Sequence, residues 1–367
     1  MRDKLAAWRG IVRRRDSWPQ AAGMSADRRV LKPGLYGPLP TFFDDNQDLD
    51  LVSFKKHLLK VRPCNKGHRY AVRVRHPRIS QLTSISVPVC AGSLGEAVHL
   101  THDERTHLIR FTRQTLDAAD LTTLPIVAGV GSSSTRETIK LAHDAHNAGA
   151  LEADDQQIAQ YYIDICAASP IPIFLYNFPS NAANLDIALP TLTRIIPAAP
   201  NLHGVKLTCS TNLLKLQHLT SHPALHAARD REFLFLDGLI ADLTPWVRNG
   251  GHGTVSGIPN FAPLAGIKLW NLLTASDPSE GEMRESQRIQ EVVSRADGAA
   301  VPAGVRGMKY VLHKLHGYSL APRRPLLPPR EEEGEKFFAA LGELLELETQ
   351  IRESGDGEGL RVNTQLP

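Results

Sequence analysis

The stretch PIPIFLYNFPSNAANLDIALPTLTRIIPAAPNLHGVKLTC, residues 170–209, holds two short apolar runs, 171–176 and 202–207, with an amphipathic stretch between them. Each run has strand length and the aliphatic and aromatic side chains that strands favour. Pro179 stops the first, because proline cannot donate to a strand ladder. Two strands joined by an amphipathic crossover read as a βαβ unit, a pair of parallel strands covered by helices.

The same alternation extends through most of the 367 residues. Strands are expected at 35–42, 85–91, 125–129, 171–176, 202–207, 232–236 and 253–256. Two helix starts are marked by the S/T-x-x-E spacing, Thr101 with Glu104 and Ser134 with Glu137, in which hydroxyl and carboxylate satisfy each other's backbone amides. After Ser256 only helical patterns remain, at 261–274, 280–296, 304–316 and 330–351. The tail, 353–367, is rich in glycine and charge and is expected to be disordered. The expected organisation is an N-terminal extension at 1–33, a barrel at 34–260, a C-terminal helical domain at 261–352 and the tail at 353–367.

Two places break the alternation. VRPCNKGHRYAVRVRHPR, residues 61–78, follows neither a helical nor a clean strand period, and 61–90 reads as an anomalous insert. Between a helix ending at Ala148 and one starting near Asp155, only residues 149–154 intervene. An eight-unit barrel requires a strand there, so one barrel strand is missing near 150.

Charge is unevenly placed. The chain carries a net +3, yet residues 1–23 alone carry +4, and residues 51–95 hold nine Lys or Arg and no acid. The remainder is acidic by about −10, which argues against nucleic acid as a partner. No apolar run approaches the ~18 residues of a membrane-spanning helix. Cys64, Cys90, Cys166 and Cys209 form no CxxC pair and no zinc spacing with histidines, so a reducing compartment and no structural metal are expected. The Arg-rich start lacks an apolar core, which excludes a secretory signal and leaves either a mitochondrial presequence or a true start at Met24. A cytoplasmic location is expected, with the mitochondrial matrix as the alternative.

Four positions carry chemistry. Lys206 lies at the centre of an apolar strand, where desolvation disfavours the charged amine and favours the free base that attacks ketones. A lysine reaching from a strand end to solvent is the alternative. Tyr176 ends the other strand, near the face where barrel enzymes keep their sites, and its phenol can relay protons. A buried tyrosine with a structural hydrogen bond is the alternative there. CAGSLGE, residues 90–96, offers Gly92, Ser93 and Leu94 in a turn whose amides and hydroxyl can meet a carboxylate, or simply close a tight turn. GGHGTVSG, residues 250–257, brings backbone near a ligand or the barrel rim and makes Val255 a further candidate for substrate contact.

Taken together and in order, these pieces resemble the dihydrodipicolinate synthase and N-acetylneuraminate lyase family of class I aldolases. The resemblance rests on GLYGPLPTFF (34–43), GSLGEAVHLTHDER (92–105), PIVAGVGSSSTRETI (125–139), YNFP (176–179), GVKLTC (204–209), GGHGTVSGIPNFAP (250–263) and YSLAPRRPLLP (318–328). It implies a (β/α)8 barrel with a C-terminal helical domain, usually a homotetramer, acting on a small 2-oxo acid without metal or organic cofactor. It also implies that Lys206 forms the Schiff base, that Tyr176 relays protons, and that Ser93 with Leu94 holds the keto-acid carboxylate. Many members have a hydroxyl where this chain has Leu94, which offers only its amide. Asn181 stands where the synthase branch carries an arginine, which counts against dihydrodipicolinate synthesis. KLTC and PTFF look like fungal-type members that cleave 4-hydroxy-2-oxoglutarate or 2-keto-3-deoxy-L-galactonate to pyruvate and an aldehyde.

The departures from the family pattern are the two interruptions. The junction at 149–155 omits a strand and a tyrosine-bearing loop, and 61–90 replaces a short connection. A retained intron at 61–90 and lost coding sequence near 150 would produce both. A catalytically inactive barrel acting as a binding or scaffold subunit is the rival expectation, and it predicts no covalent adduct on Lys206.

Overall fold

The computed structural model describes residues 31–61, 87–129, 155–182, 184–225 and 233–354. Among the described residues seven strands form one sheet: β1 Gly34–Pro38, β2 Val87–Cys90, β3 Val127–Ala128, β4 Ile173–Asn177, β5 Leu202–Leu207, β6 Leu234–Asp237 and β7 Gly253–Val255. Their order is β3-β2-β1-β7-β6-β5-β4, and every pairing is parallel. Because the first strand pairs with the seventh, the sheet curls as a (β/α)8 barrel does, leaving β3 and β4 as its edges. The missing strand expected near 150 falls within residues 130–154, which lie outside the described residues, as do Ser134 with Glu137, most of 61–90, the first 30 residues and the tail from 355.

The helices follow in chain order: α1 Leu51–Val61, α2 His102–Asp117, α3 Asp155–Ala168, α4 Leu189–Ala198, α5 Asn212–Ser221 and α6 Leu243–Arg248, then α7 Pro263–Leu273, α8 Glu280–His316, α9 Glu331–Ala340 and α10 Gly342–Glu353. α2 starts with the expected capping box, Thr101 Oγ1 accepting from the Glu104 amide and Glu104 accepting from the Thr101 amide. Among the described residues no helix is long and apolar enough to cross a membrane.

Strand alternation sorts side chains into two layers. Tyr36, Val87, Val89, Leu234, Leu236 and Val255 cluster inside the curl. Leu175, Val205, Leu207, Phe233 and Phe235 face outward onto α3 to α6, packing with Tyr162, Ile165, Ile195, Ile196 and Leu216. A third cluster joins β1 and α1 to the C-terminal helices through Phe42, Phe54, Ile267, Trp270, Val293 and Leu347. At β7, Gly253 has φ +135, and a Cβ there would lie 1.9 Å from the Gly34 carbonyl oxygen. The closure of β7 onto β1 therefore requires glycine at this position.

The helical pattern after β7 differs from expectation in two places. The stretches 280–296 and 304–316 are joined as α8, interrupted at Gly304 (φ 55, ψ −148) two residues after Pro302. A proline inside a helix removes one amide donor and crowds the preceding turn, and glycine is the residue best able to take up the resulting break. The single helix expected over 330–351 is divided at Leu341, whose amide bonds back to the Phe338 carbonyl in a tightened last turn.

Candidate active site

β4 and β5 run side by side with Tyr176 opposite Lys206. Partners in a parallel pair project to the same face, so Phe174 and Tyr176 share the interior with Lys206, while Leu175, Val205 and Leu207 pack outward. The Lys206 Nζ lies 3.9 Å from the centre of the Tyr176 ring. The ring is stacked on Phe178 at 5.5 Å, with an interplanar angle of 26°. Stacking fixes the phenol at the C-terminal end of its strand.

Lys206 differs from the other lysines withdrawn from solvent. Lys309 is fully buried and paired with Glu96 at 2.6 Å. Lys215 is bound to Asp186 and donates to the Ile187 carbonyl at 2.8 Å. Lys206 has no carboxylate in contact among the described residues, and its ring contact leaves the nitrogen lone pair uncommitted once the proton is lost.

All six residues singled out in the sequence line one cavity of about 1240 Å³: Lys206, Tyr176, Gly92, Ser93, Leu94 and Val255. Ser93 and Leu94 open a 3-10 turn, Ser93–Gly95, directly after β2. The Gly95 and Ala97 amides bond to the Gly92 carbonyl and the Glu96 amide to the Ser93 carbonyl. The turn's own bonds therefore do not use the first two amides, which is the condition for binding a carboxylate there. Leu94 packs its side chain toward Gly257, where a Cβ would come within 3.2 Å of it.

The turn is held from behind by charge. Glu96 has φ 56, accepts from the Arg323 amide at 2.9 Å and is bound to Lys309. Arg105 donates through Nε and Nη2 to the Ala97 carbonyl at 3.1 and 2.7 Å. These bonds fix the loop that presents Ser93, through residues reached from α2, α8 and the segment after it.

Sequence reasoning missed part of the cavity wall. Thr208 follows β5, Asn212 starts α5, Gly238 and Asp242 follow β6, and Asp297 comes from α8; all five line the cavity. A Cβ at Gly238 would fall 1.8 Å from Thr208 Oγ1, so glycine there makes room for the threonine. The Thr208 hydroxyl oxygen is buried and has no hydrogen-bond partner among the described residues. Asp297 accepts from the Ala241 amide at 3.1 Å and from the Ser256 hydroxyl at 3.4 Å, and burial pushes its carboxyl up to about 6. Asp297 could have been found as a charge on the apolar stripe Val293, Ala296, Ala300, which an ordinary surface helix would not place there. Among the described residues no group of three His, Cys, Asp or Glu could hold a metal ion. Cys90, Cys166 and Cys209 are buried free thiols.

A model of the dihydrodipicolinate synthetase family matches residues 83–344. The chain is 32% identical over 335 residues to a protein of Emericella nidulans named "Probable 4-hydroxy-2-oxoglutarate aldolase, mitochondrial", covering 88% of this chain and 98% of that one. It is 31% identical over 351 residues to the L-threo-3-deoxy-hexylosonate aldolase of Aspergillus niger, covering 88% and 97%. Among solved structures, a dihydrodipicolinate synthase family protein from Coccidioides immitis superposes with a TM-score of 0.70 at 25% identity, covering 88% of this chain and 99% of that one.

Proposed function

The chain belongs to the dihydrodipicolinate synthetase family, and within it we propose that the protein is a Schiff-base-forming class I aldolase that cleaves a 4-hydroxy-2-oxo acid to pyruvate and an aldehyde. The observation that supports this reading most is the amine of Lys206 lying against the ring of Tyr176 inside a cavity at the C-terminal ends of the strands. The names of the relatives from Emericella nidulans and Aspergillus niger support the same reaction class.

The Lys206 amine adds to the C2 carbonyl of the substrate, and the carbinolamine loses water to give an iminium. Tyr176 gives and takes the protons of those two steps. The iminium then accepts electrons: the C4 hydroxyl loses its proton, the C3–C4 bond breaks, the aldehyde departs, and the electron pair becomes the enamine. Protonation at C3 and addition of one water release pyruvate and restore the amine. The water lost in forming the iminium equals the water consumed in its hydrolysis, so no co-reactant is needed. Ser93 and the amides of Ser93 and Leu94 hold the carboxylate next to the reacting carbonyl.

Steady-state release of pyruvate from 4-hydroxy-2-oxo acids tests the proposal. The wild-type chain is expected to release pyruvate and one equivalent of aldehyde, and Lys206→Met to release neither. Release by the Lys206→Met variant at the wild-type rate would overturn it.

The assembly we propose is a homotetramer, which sedimentation of the purified chain would measure directly. The basic residues 1–23 and the name of the Emericella nidulans relative support a mitochondrial site of action beside the cytoplasmic one. Import of the full chain into isolated mitochondria separates the two.

A further inference from the structure

The Ser93–Gly95 turn is flanked by two non-glycine residues in the left-handed region, Ala91 at φ 50 and Glu96 at φ 56. Side chains rarely adopt this conformation, and for a residue as long as glutamate it persists only where the surroundings impose it. The Glu96 backbone closes the turn: its amide bonds to the Ser93 carbonyl at 3.1 Å, and the next amide, that of Ala97, to the Gly92 carbonyl at 3.3 Å. The dihedral angles of Glu96 therefore set how Ser93 and Leu94 present their amides to the cavity. Glu96 itself lies behind the residues that line it.

What imposes the conformation is the Glu96 carboxylate, which is buried and held by groups from beyond the turn. Its Oε1 is paired with the Lys309 Nζ at 2.6 Å, while Oε2 accepts from the Arg323 amide at 2.9 Å and lies 3.3 Å from His99 Nδ1. Two of these groups come from α8 and the segment after it. They are themselves fixed. Lys309 also donates to the Ala321 carbonyl at 3.0 Å, and Arg323 donates to Glu104 at 2.6 Å and to the Gln47 carbonyl. The Lys309 amine and the Arg323 guanidinium lie 4.5 and 4.4 Å from the centre of one ring, Phe43. A bare carboxylate buried behind a turn that receives an anion would repel that anion, and Lys309 cancels its charge.

We infer that Glu96 is a positioning residue: through its ion pair with Lys309 and its bond to the Arg323 amide, it holds the Ser93 and Leu94 amides in the geometry that receives the substrate carboxylate. The role rests on the lyase reading above and deepens it, since it concerns the head that every 2-oxo acid shares. Losing it weakens the grip on the carboxylate in ground state and transition state alike, so the effect falls on KM rather than on kcat.

Borohydride trapping on Lys206 of the full chain with pyruvate and with acetone, methyl ketones with and without a carboxylate, tests this. The wild-type chain is expected to trap pyruvate far more readily than acetone. In Glu96→Gln the half-saturating pyruvate concentration should rise by about tenfold or more, with acetone trapping within about twofold of wild type, because misplacing a contact by about 1 Å can cost up to 10²-fold. The KM for cleavage should rise in step, with kcat within about threefold. Glu96→Gln combined with Lys309→Met leaves no charge unpaired and should show the same selective loss. Arg323→Met keeps the buried pair and loosens only the segment that carries the amide, so a severalfold rise is expected. Unchanged pyruvate saturation in folded Glu96→Gln or the double variant, or in Arg323→Met where those two do not fold, would overturn the inference. Equal losses with pyruvate and acetone would also overturn it, since they mark a general disorder of the site. If the wild type traps both ketones alike, the carboxylate grip is wrong while the lyase reading stands. With no adduct at all, the lyase reading itself fails and the role of Glu96 with it.

Discussion

Lys206 and Tyr176 are register partners on adjacent parallel strands, and the amine of one lies 3.9 Å from the ring centre of the other. Strand register sets the two residues side by side, so the proposed nucleophile and proton relay are brought together by backbone pairing. Replacing Tyr176 by phenylalanine keeps the ring and its stacking on Phe178 while deleting the proton-carrying oxygen. Tyr176→Phe should lower kcat by roughly 10²-fold, in line with the usual worth of general acid–base catalysis, and leave thermal stability nearly unchanged. Stopped-flow measurement of iminium formation with pyruvate would show whether the loss falls on that step.

The pair Glu96–Lys309 ties the residue after the Ser93–Gly95 turn to α8 with both side chains fully buried. Removing one member leaves an uncompensated charge in the interior. Lys309→Met should cost about 3–5 kcal/mol of unfolding free energy, whereas the double variant Glu96→Gln with Lys309→Met should recover much of it. Urea unfolding of the two variants beside the wild type measures the difference, and equal losses in single and double variants would show that packing dominates instead.

Asp237 on one side and His57 with His316 on the other should shape stability against pH in opposite directions. Burial pushes Asp237 up to about 7, so the folded protein keeps a proton that the unfolded chain releases above the ordinary carboxylate value of 3.8. Its favourable effect is present at low pH and is lost as pH rises through about 7. His57 and His316 are held down to about 4 by burial, so the unfolded chain takes up protons below 6.5 that the folded protein refuses, and stability falls as pH drops toward 4. Asp237→Asn keeps the acceptor used by Asn212 and Leu239 and should raise the unfolding midpoint at about pH 8 while leaving it nearly unchanged at about pH 4. Denaturant titrations at the two values decide this.

Much of the barrel was legible because parallel strands are covered on both faces and read as short apolar runs, which is why β4 and β5 stand out between Pro170 and Cys209. Lys206 and Tyr176 were legible for a related reason, being polar residues set within those runs. The far wall was not. Asn212, Asp242 and Asp297 come from three separate segments and converge only when α5, the loop after β6 and α8 pack together. Asp237 is a further case: nothing local to LFLDG says that its carboxylate is buried against the start of α5. The end of the first strand was also misjudged. The apolar pattern runs on to Phe42, but β1 stops at Pro38, and Phe42 and Phe43 turn into the core against α1 and Tyr318.

Gly238 makes a steric prediction. A methyl at this position would collide with Thr208, which follows the strand that holds Lys206. Gly238→Ala should lower kcat/KM for cleavage by about tenfold or more by displacing Thr208 from the cavity wall, since misplacing a contact near the reacting centre by about 1 Å can cost up to 10²-fold. Its trapping of pyruvate, which needs only attack by the Lys206 amine on a three-carbon ketone, should remain close to wild type. Loss of both activities together would instead indicate a general collapse of the site.

One amine, Lys206, is proposed to form the covalent bond to the 2-oxo acid. Incubating the chain with pyruvate, reducing with borohydride and locating the adduct by peptide mass mapping tests it most directly. One adduct per chain is expected, on the peptide containing Lys206 and absent from Lys206→Met. An adduct on Lys215, Lys309 or a surface lysine with the Lys206 peptide unmodified, or no adduct at all, would contradict it.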